Sequence, residues 1–98
     1  MENFLQTLVN SAESLIGFHS FVNLTKPESQ EVNPNFPGIA YKVENNFLDL
    51  TIALNFFYQI KVNIIIRNFE NLINQIAPKF NLNLRNATFI VEGIKDEK

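Results

Sequence analysis

The sequence predicts an α+β domain of two layers, with elements in the order α-β-β-β-α-β and both helices on one face of a small sheet. Three observations carry this prediction. Two segments, one near the N-terminus and one after Lys61, repeat apolar residues every three or four positions, the spacing of a helix with one buried face. The segments around them alternate as strands do. Two of those strands meet at Asn45-Asn46, a pair suited to a two-residue hairpin turn. A hairpin and flanking strands set between helices point to helices gathered on one side of a sheet.

The first helix is expected over residues 3–16. Phe4, Leu5, Leu8, Val9, Ala12, Leu15 and Ile16 share one face, Asn3 is placed to cap the start, and Gly17 is placed to end it. Phe18 to Leu24 ("FHSFVNL") reads as a strand of imperfect alternation. The segment 25–37, with three prolines and many polar residues, reads as a mobile loop.

The hairpin gives the sharpest expectation. A turn at Asn45-Asn46 sets Glu44 opposite Phe47, Val43 opposite Leu48, Lys42 opposite Asp49, Tyr41 opposite Leu50, Ala40 opposite Thr51 and Ile39 opposite Ile52. Ile39, Tyr41, Val43, Leu48, Leu50 and Ile52 then share one face, and a slip of one residue would scramble them. Lys42 and Asp49 become a cross-strand ion pair of roughly 0.2–1 kcal/mol.

Strand alternation continues to about Phe57, and helical spacing begins by Val62. Gln59 and Ile60 make the corner between them. Val62, Ile65, Ile66, Phe69, Leu72, Ile73 and Ile76 form the buried face of the second helix, which Pro78 ends near Ala77. "LNLRNATFIVEGI" closes the fold as a strand, with Arg85, Ala87, Phe89 and Val91 on one face and Thr88, Ile90 and Glu92 on the other.

Composition narrows the function. The chain has 98 residues, 46% hydrophobic and 18% charged, and reads as a single domain, 1–98, able to bury one core. It has no cysteine, so disulfides and thiolate metal sites are excluded. A net charge of −2 disfavours nucleic acid as a partner. The charge-free stretch from Leu50 to Ile60 is too short for a membrane span, and the N-terminus lacks the basic and apolar regions of a signal peptide. A cytoplasmic location follows as an expectation. Abundant Asn, Ile, Phe and Lys fit a low-GC bacterial genome.

No residue pattern points to catalysis, to a cofactor or to a metal. His19 is the single histidine, and Ser20 beside it on a strand is expected to face the other way. Gly17, Gly38 and Gly93 stand alone rather than in a phosphate-binding loop. Glu28 and Glu31 fall in the loop, and Glu44 and Asp49 lie near the hairpin without a partner set for acid–base work. Of the ten phenylalanines, most fall on apolar faces. Phe47 does not, since it lies on the polar side of the hairpin. Phe56 and Phe57 are adjacent and must face opposite sides of the sheet, which makes one of them a candidate for a partner surface.

The segment from Gly38 to Ile94 resembles the alkaline shock protein family, the bacterial envelope stress response proteins. "GIAYKVENNFLDLTIAL" matches its hairpin, "FYQIKV" its strand-to-helix joint, "IIRNFENLI" its amphipathic helix and "ATFIVEGI" its closing strand. "LVNSAESLIGF" is similar to its opening helix and turn. The family has a glycine at the joint where this chain has Gln59, so the corner calls for a left-handed backbone at Gln59. The resemblance implies a small, non-enzymatic stress-response protein that acts through a protein partner or self-association, in some members recruited to the membrane by a partner. It implies no cofactor and no catalytic residue. A small RNA-binding domain of KH-like or ribosome-maturation type is the alternative, although the chain has no Gly-x-x-Gly clamp.

Overall fold

One long strand organises the sheet. In the computed structural model, which describes residues 1–15, 17–24, 29–57 and 61–94, the elements are α1 (Glu2–Ala12), β1 (Phe18–Phe21), β2 (Glu31–Val32), β3 (Ile39–Glu44), β4 (Phe47–Phe57), α2 (Val62–Ile76), a 3-10 turn (Ala77–Phe80) and β5 (Asn83–Ile94). β5 runs parallel to β4 along one edge, from Phe47↔Asn83 to Phe57↔Ile94. A parallel pair needs a crossover, and α2 supplies it. The other edge of β4 carries two strands end to end. β3 pairs antiparallel with residues 47–52, and β1 pairs antiparallel with residues 54–56. β2 pairs with the outer side of β3. The result is a five-stranded mixed sheet with two helices packed on it, an α+β fold.

The junction between β1 and β3 explains one glycine. Ala53 donates its N–H to the Gly38 carbonyl and accepts from the Val22 N–H, both at 2.9 Å. A Cβ on Gly38 would lie 2.7 Å from the Phe21 Cβ and 3.0 Å from the Val22 carbonyl oxygen. Only a residue without a side chain lets the two strands meet there.

The hairpin has the predicted register at all six positions. Asn45 and Asn46 take φ of 52° and 69°, the left-handed pair that a tight hairpin turn requires. Along β4, Leu48, Leu50, Ile52 and Leu54 point into the core. They meet Phe4, Leu5, Leu8 and Ala12 of α1 and Ile65, Phe69, Ile73 and Ile76 of α2. Phe69 is the hub, with Phe18, Phe21 and Phe89 rings at 5.6, 6.1 and 5.9 Å. α2 begins at Lys61 without a side-chain cap and carries no acid in its first turn, so burial rather than capping holds it. Pro78 falls within the 3-10 turn after Ile76, and Asn81 reverses the chain at φ 61°.

Several expectations are corrected. α1 ends at Ala12 instead of 16. Beyond it, the Ser14 amide and hydroxyl both bond the Ser11 carbonyl, a tight local turn that competes with a further helical turn. Its N-cap is Met1 rather than Asn3, and no side chain caps it. β1 is shorter than 18–24, although the Val22 and Leu24 amides still bond Ala53 and Pro37. The segment read as a loop contains β2, and an Asx turn at Asn33 then delivers Phe36 into the core. Residues 25–28 of that segment lie outside the described residues, as does the corner at Gln59. No helix among the described residues is long and apolar enough to cross a membrane.

Candidate functional site on the open face of the sheet

Both helices share one side of the sheet, and among the described residues no element covers the other side. β4 sends Phe47, Asp49, Thr51, Asn55 and Phe57 to this open face. β5 adds Asn86, Thr88 and Ile90, and β3 adds Lys42 and Glu44. Phe47 is 44% exposed and Ile90 43%, the two largest apolar exposures on this face.

At the hairpin end a charged cluster forms through an irregularity. The β4–β5 register shifts between Leu48↔Leu84 and Asp49↔Asn86, which leaves Arg85 as an extra residue. A bulge places neighbouring side chains on one side. Arg85 therefore joins Asn86 on the open face, contrary to the strict alternation that grouped it with Ala87, Phe89 and Val91. Its guanidinium grips Asp49 with both arms, Nε to Oδ1 at 3.0 Å and Nη2 to Oδ2 at 2.8 Å. The same Nη2 reaches Glu44 Oε1 at 3.5 Å, and the group stands 5.7 Å from the Phe47 ring centre. Asn86 Nδ2 donates to Asp49 Oδ1 at 3.2 Å.

The predicted Lys42–Asp49 ion pair is thus replaced. The two residues stand opposite each other, but Arg85 presents a planar fork that matches the carboxylate and Lys42 acts only through its charge. The hydrogen bonds from Arg85 hold the Asp49 carboxyl below the usual carboxylate range. Partial burial opposes that shift, and Asn86 and the Lys42 charge reinforce it. Asp49 and Glu44 in turn push the Arg85 pKa up, so it stays charged.

At the far end a second irregularity makes a polar cluster. The β1–β4 register shifts between Phe18 and Ser20, and His19 is the extra residue. His19 and Ser20 therefore face the same way, against the alternation expected of strand neighbours. His19 Nδ1 and Ser20 Oγ lie 2.8 Å apart, Asn55 Nδ2 donates to Ser20 Oγ at 3.3 Å, and the His19 ring meets Phe57 edge-on at 5.1 Å. When the imidazole carries its proton on Nε2, Ser20 donates to Nδ1 and accepts from Asn55. The pair orients a hydroxyl at the surface.

Phe56 and Phe57 do face opposite sides: Phe56 packs on the core and Phe57 on the open face. No group of three or more His, Cys, Asp or Glu able to hold a metal occurs among the described residues. On the helix side, a cleft between Val9, Phe36 and Gly38 encloses about 100 Å³, below the roughly 300–1,000 Å³ of small-molecule sites. A second groove, of about 320 Å³, lies between Met1, Phe4, Val43 and Phe80. Val43, opposite the core residue Leu48, borders this groove and is 43% exposed.

Comparison with protein-family models, with curated proteins and with solved structures finds no match for this chain.

Proposed function

We propose that this chain is a non-enzymatic protein-interaction module of the alkaline shock type, which receives a protein partner on the open face of its sheet. One observation carries the reading. Phe47 stands exposed on that face beside a cation whose charge is already answered by two carboxylates, and Ile90 stands exposed further along the same face. Exposed apolar side chains ringed by polar ones fit a protein surface. An arginine tied to Asp49 and Glu44 is poorly placed to neutralise phosphates, which supports a protein over an RNA partner. Action in the cytoplasm, with recruitment to a membrane through the partner, completes the proposal.

The experiment is crosslinked affinity recovery from the source cells with wild type, Phe47→Ser and Val62→Ser. Val62, expected on the buried face of the second helix, is instead 40% exposed in its first turn, away from the open face, and serves as the control. A partner kept by Val62→Ser and lost with Phe47→Ser supports the proposal. Equal recovery by all three, or salt-dependent RNA binding weakened by Phe47→Ser, contradicts it.

A further inference from the structure

The two edges of the sheet are built differently. One edge is made of short strands, β2 with two residues, which runs into Asn33-Pro34, and β1 with four. The other, β5, has twelve residues, with no proline and no lysine. Among the described residues β5 pairs with β4 alone, so its outer row of N–H and C=O groups is unpartnered over about 40 Å of strand. Folded proteins blunt such edges with short strands, prolines, lysines or bulges. Here the bulge at Arg85 lies near the start of β5, and the run from Ala87 to Val91 has no such device.

We propose that β5 pairs antiparallel with β5 of a second copy of this chain and joins the two sheets into one. The sequence of the strand selects this occupant. Its apolar stretch is central, with polar residues before it, and an antiparallel two-fold lays that stretch on itself. With the axis at Ile90, each Ile90 faces its copy on the open side. On the helix side Phe89 faces the Val91 of the other copy twice, an aromatic residue against a β-branched one, which is a favourable cross-strand pair. Phe89 and Val91 are only half-buried within one chain, and Ile90 is 43% exposed, so all three gain cover. The contact uses the same surface on both copies and therefore closes as a dimer. The axis stands perpendicular to the sheet, so the helices stay on one side and the two open faces become continuous.

The absence of cysteine makes a direct test possible. Single cysteines are introduced at Ile90, Ile64 and Val43, which have similar exposures of 43%, 45% and 43%. Residues facing each other across an antiparallel pair lie within reach of a disulfide. Under mild oxidation Ile90→Cys is expected to link at least about tenfold faster than Ile64→Cys or Val43→Cys. Sedimentation of the unmodified chain up to about 100 µM is expected to show a dimer, weakened about tenfold or more by Ile90→Lys, which sets two like charges opposite each other. A monomer throughout that range, equal linking rates, or a dimer indifferent to Ile90→Lys overturns the proposal. A monomeric chain would leave the Phe47→Ser recovery experiment unaffected, so the two readings fail separately.

Discussion

Gly38→Ala tests the junction on which the sheet depends. The added methyl would sit 2.7 Å from the Phe21 Cβ, 3.0 Å from the Val22 carbonyl oxygen and 3.3 Å from the Ala53 carbonyl oxygen. Carbon atoms pack best at about 3.5–4.0 Å, so the nearest contact is roughly 1 Å too close. The obstacles are two backbone oxygens and the first atom of a side chain, none of which can swing away. Overpacking of this kind costs about 1–3 kcal/mol, and rigid neighbours place Gly38→Ala near the top of that range. Replacing glycine also restricts the unfolded chain, which returns about 0.4–1 kcal/mol. A net loss of about 2 kcal/mol follows. With a urea slope of about 1–1.5 kcal/mol per molar, the unfolding midpoint should fall by about 1.5 M with the slope unchanged. The assay is equilibrium unfolding in urea followed by circular dichroism. A midpoint shift below about 0.3 M, a loss of under ~0.5 kcal/mol, would refute the end-to-end meeting of β1 and β3 on β4.

Phe69→Ala removes the ring that Phe18, Phe21 and Phe89 surround and should cost about 3–5 kcal/mol, measured the same way. Asn46→Val forces a β-branched residue to a φ of 69° and should cost about 1–2 kcal/mol, whereas Asn46→Gly should raise the midpoint. Asp49 has a lower pKa folded than unfolded, so the unfolded chain takes up the proton first as pH falls. Its contribution is complete above the ordinary value of 3.8 and is lost as pH drops through the folded value. The stability gap between wild type and Asp49→Asn should therefore be constant near neutrality and shrink below 3.8; a gap that persists unchanged into acid would count against the Arg85 pairing.

What could be read from sequence divides along physical lines. The hairpin was legible because turn chemistry and period-two alternation both fix the same register, so Phe47 could be placed on the open face from its distance to Asn45-Asn46 alone. α2 was legible because its apolar spacing runs unbroken until Pro78. The bulges were not. An extra residue at His19 or Arg85 changes which neighbours share a face, and nothing in the local composition marks it. For that reason the Arg85–Asp49 grip and the His19–Ser20 contact were missed, and Lys42 was given the carboxylate that Arg85 holds. β2 was missed because two residues carry no periodic signal and their pairing is supplied by the edge of β3. Gly38 was visible only as a glycine after a proline; its necessity comes from strands that meet in space.

The most direct test of the central claim places a photo-reactive amino acid at one of two exposed positions in the living cell. Thr88 lies on the open face between Phe47 and Ile90 along the sheet, and Asn74 lies on the outer side of α2. The account predicts that Thr88 yields crosslinks to a protein partner and Asn74 does not. Protein crosslinks from Asn74 alone, or crosslinks from Thr88 to RNA, would contradict it.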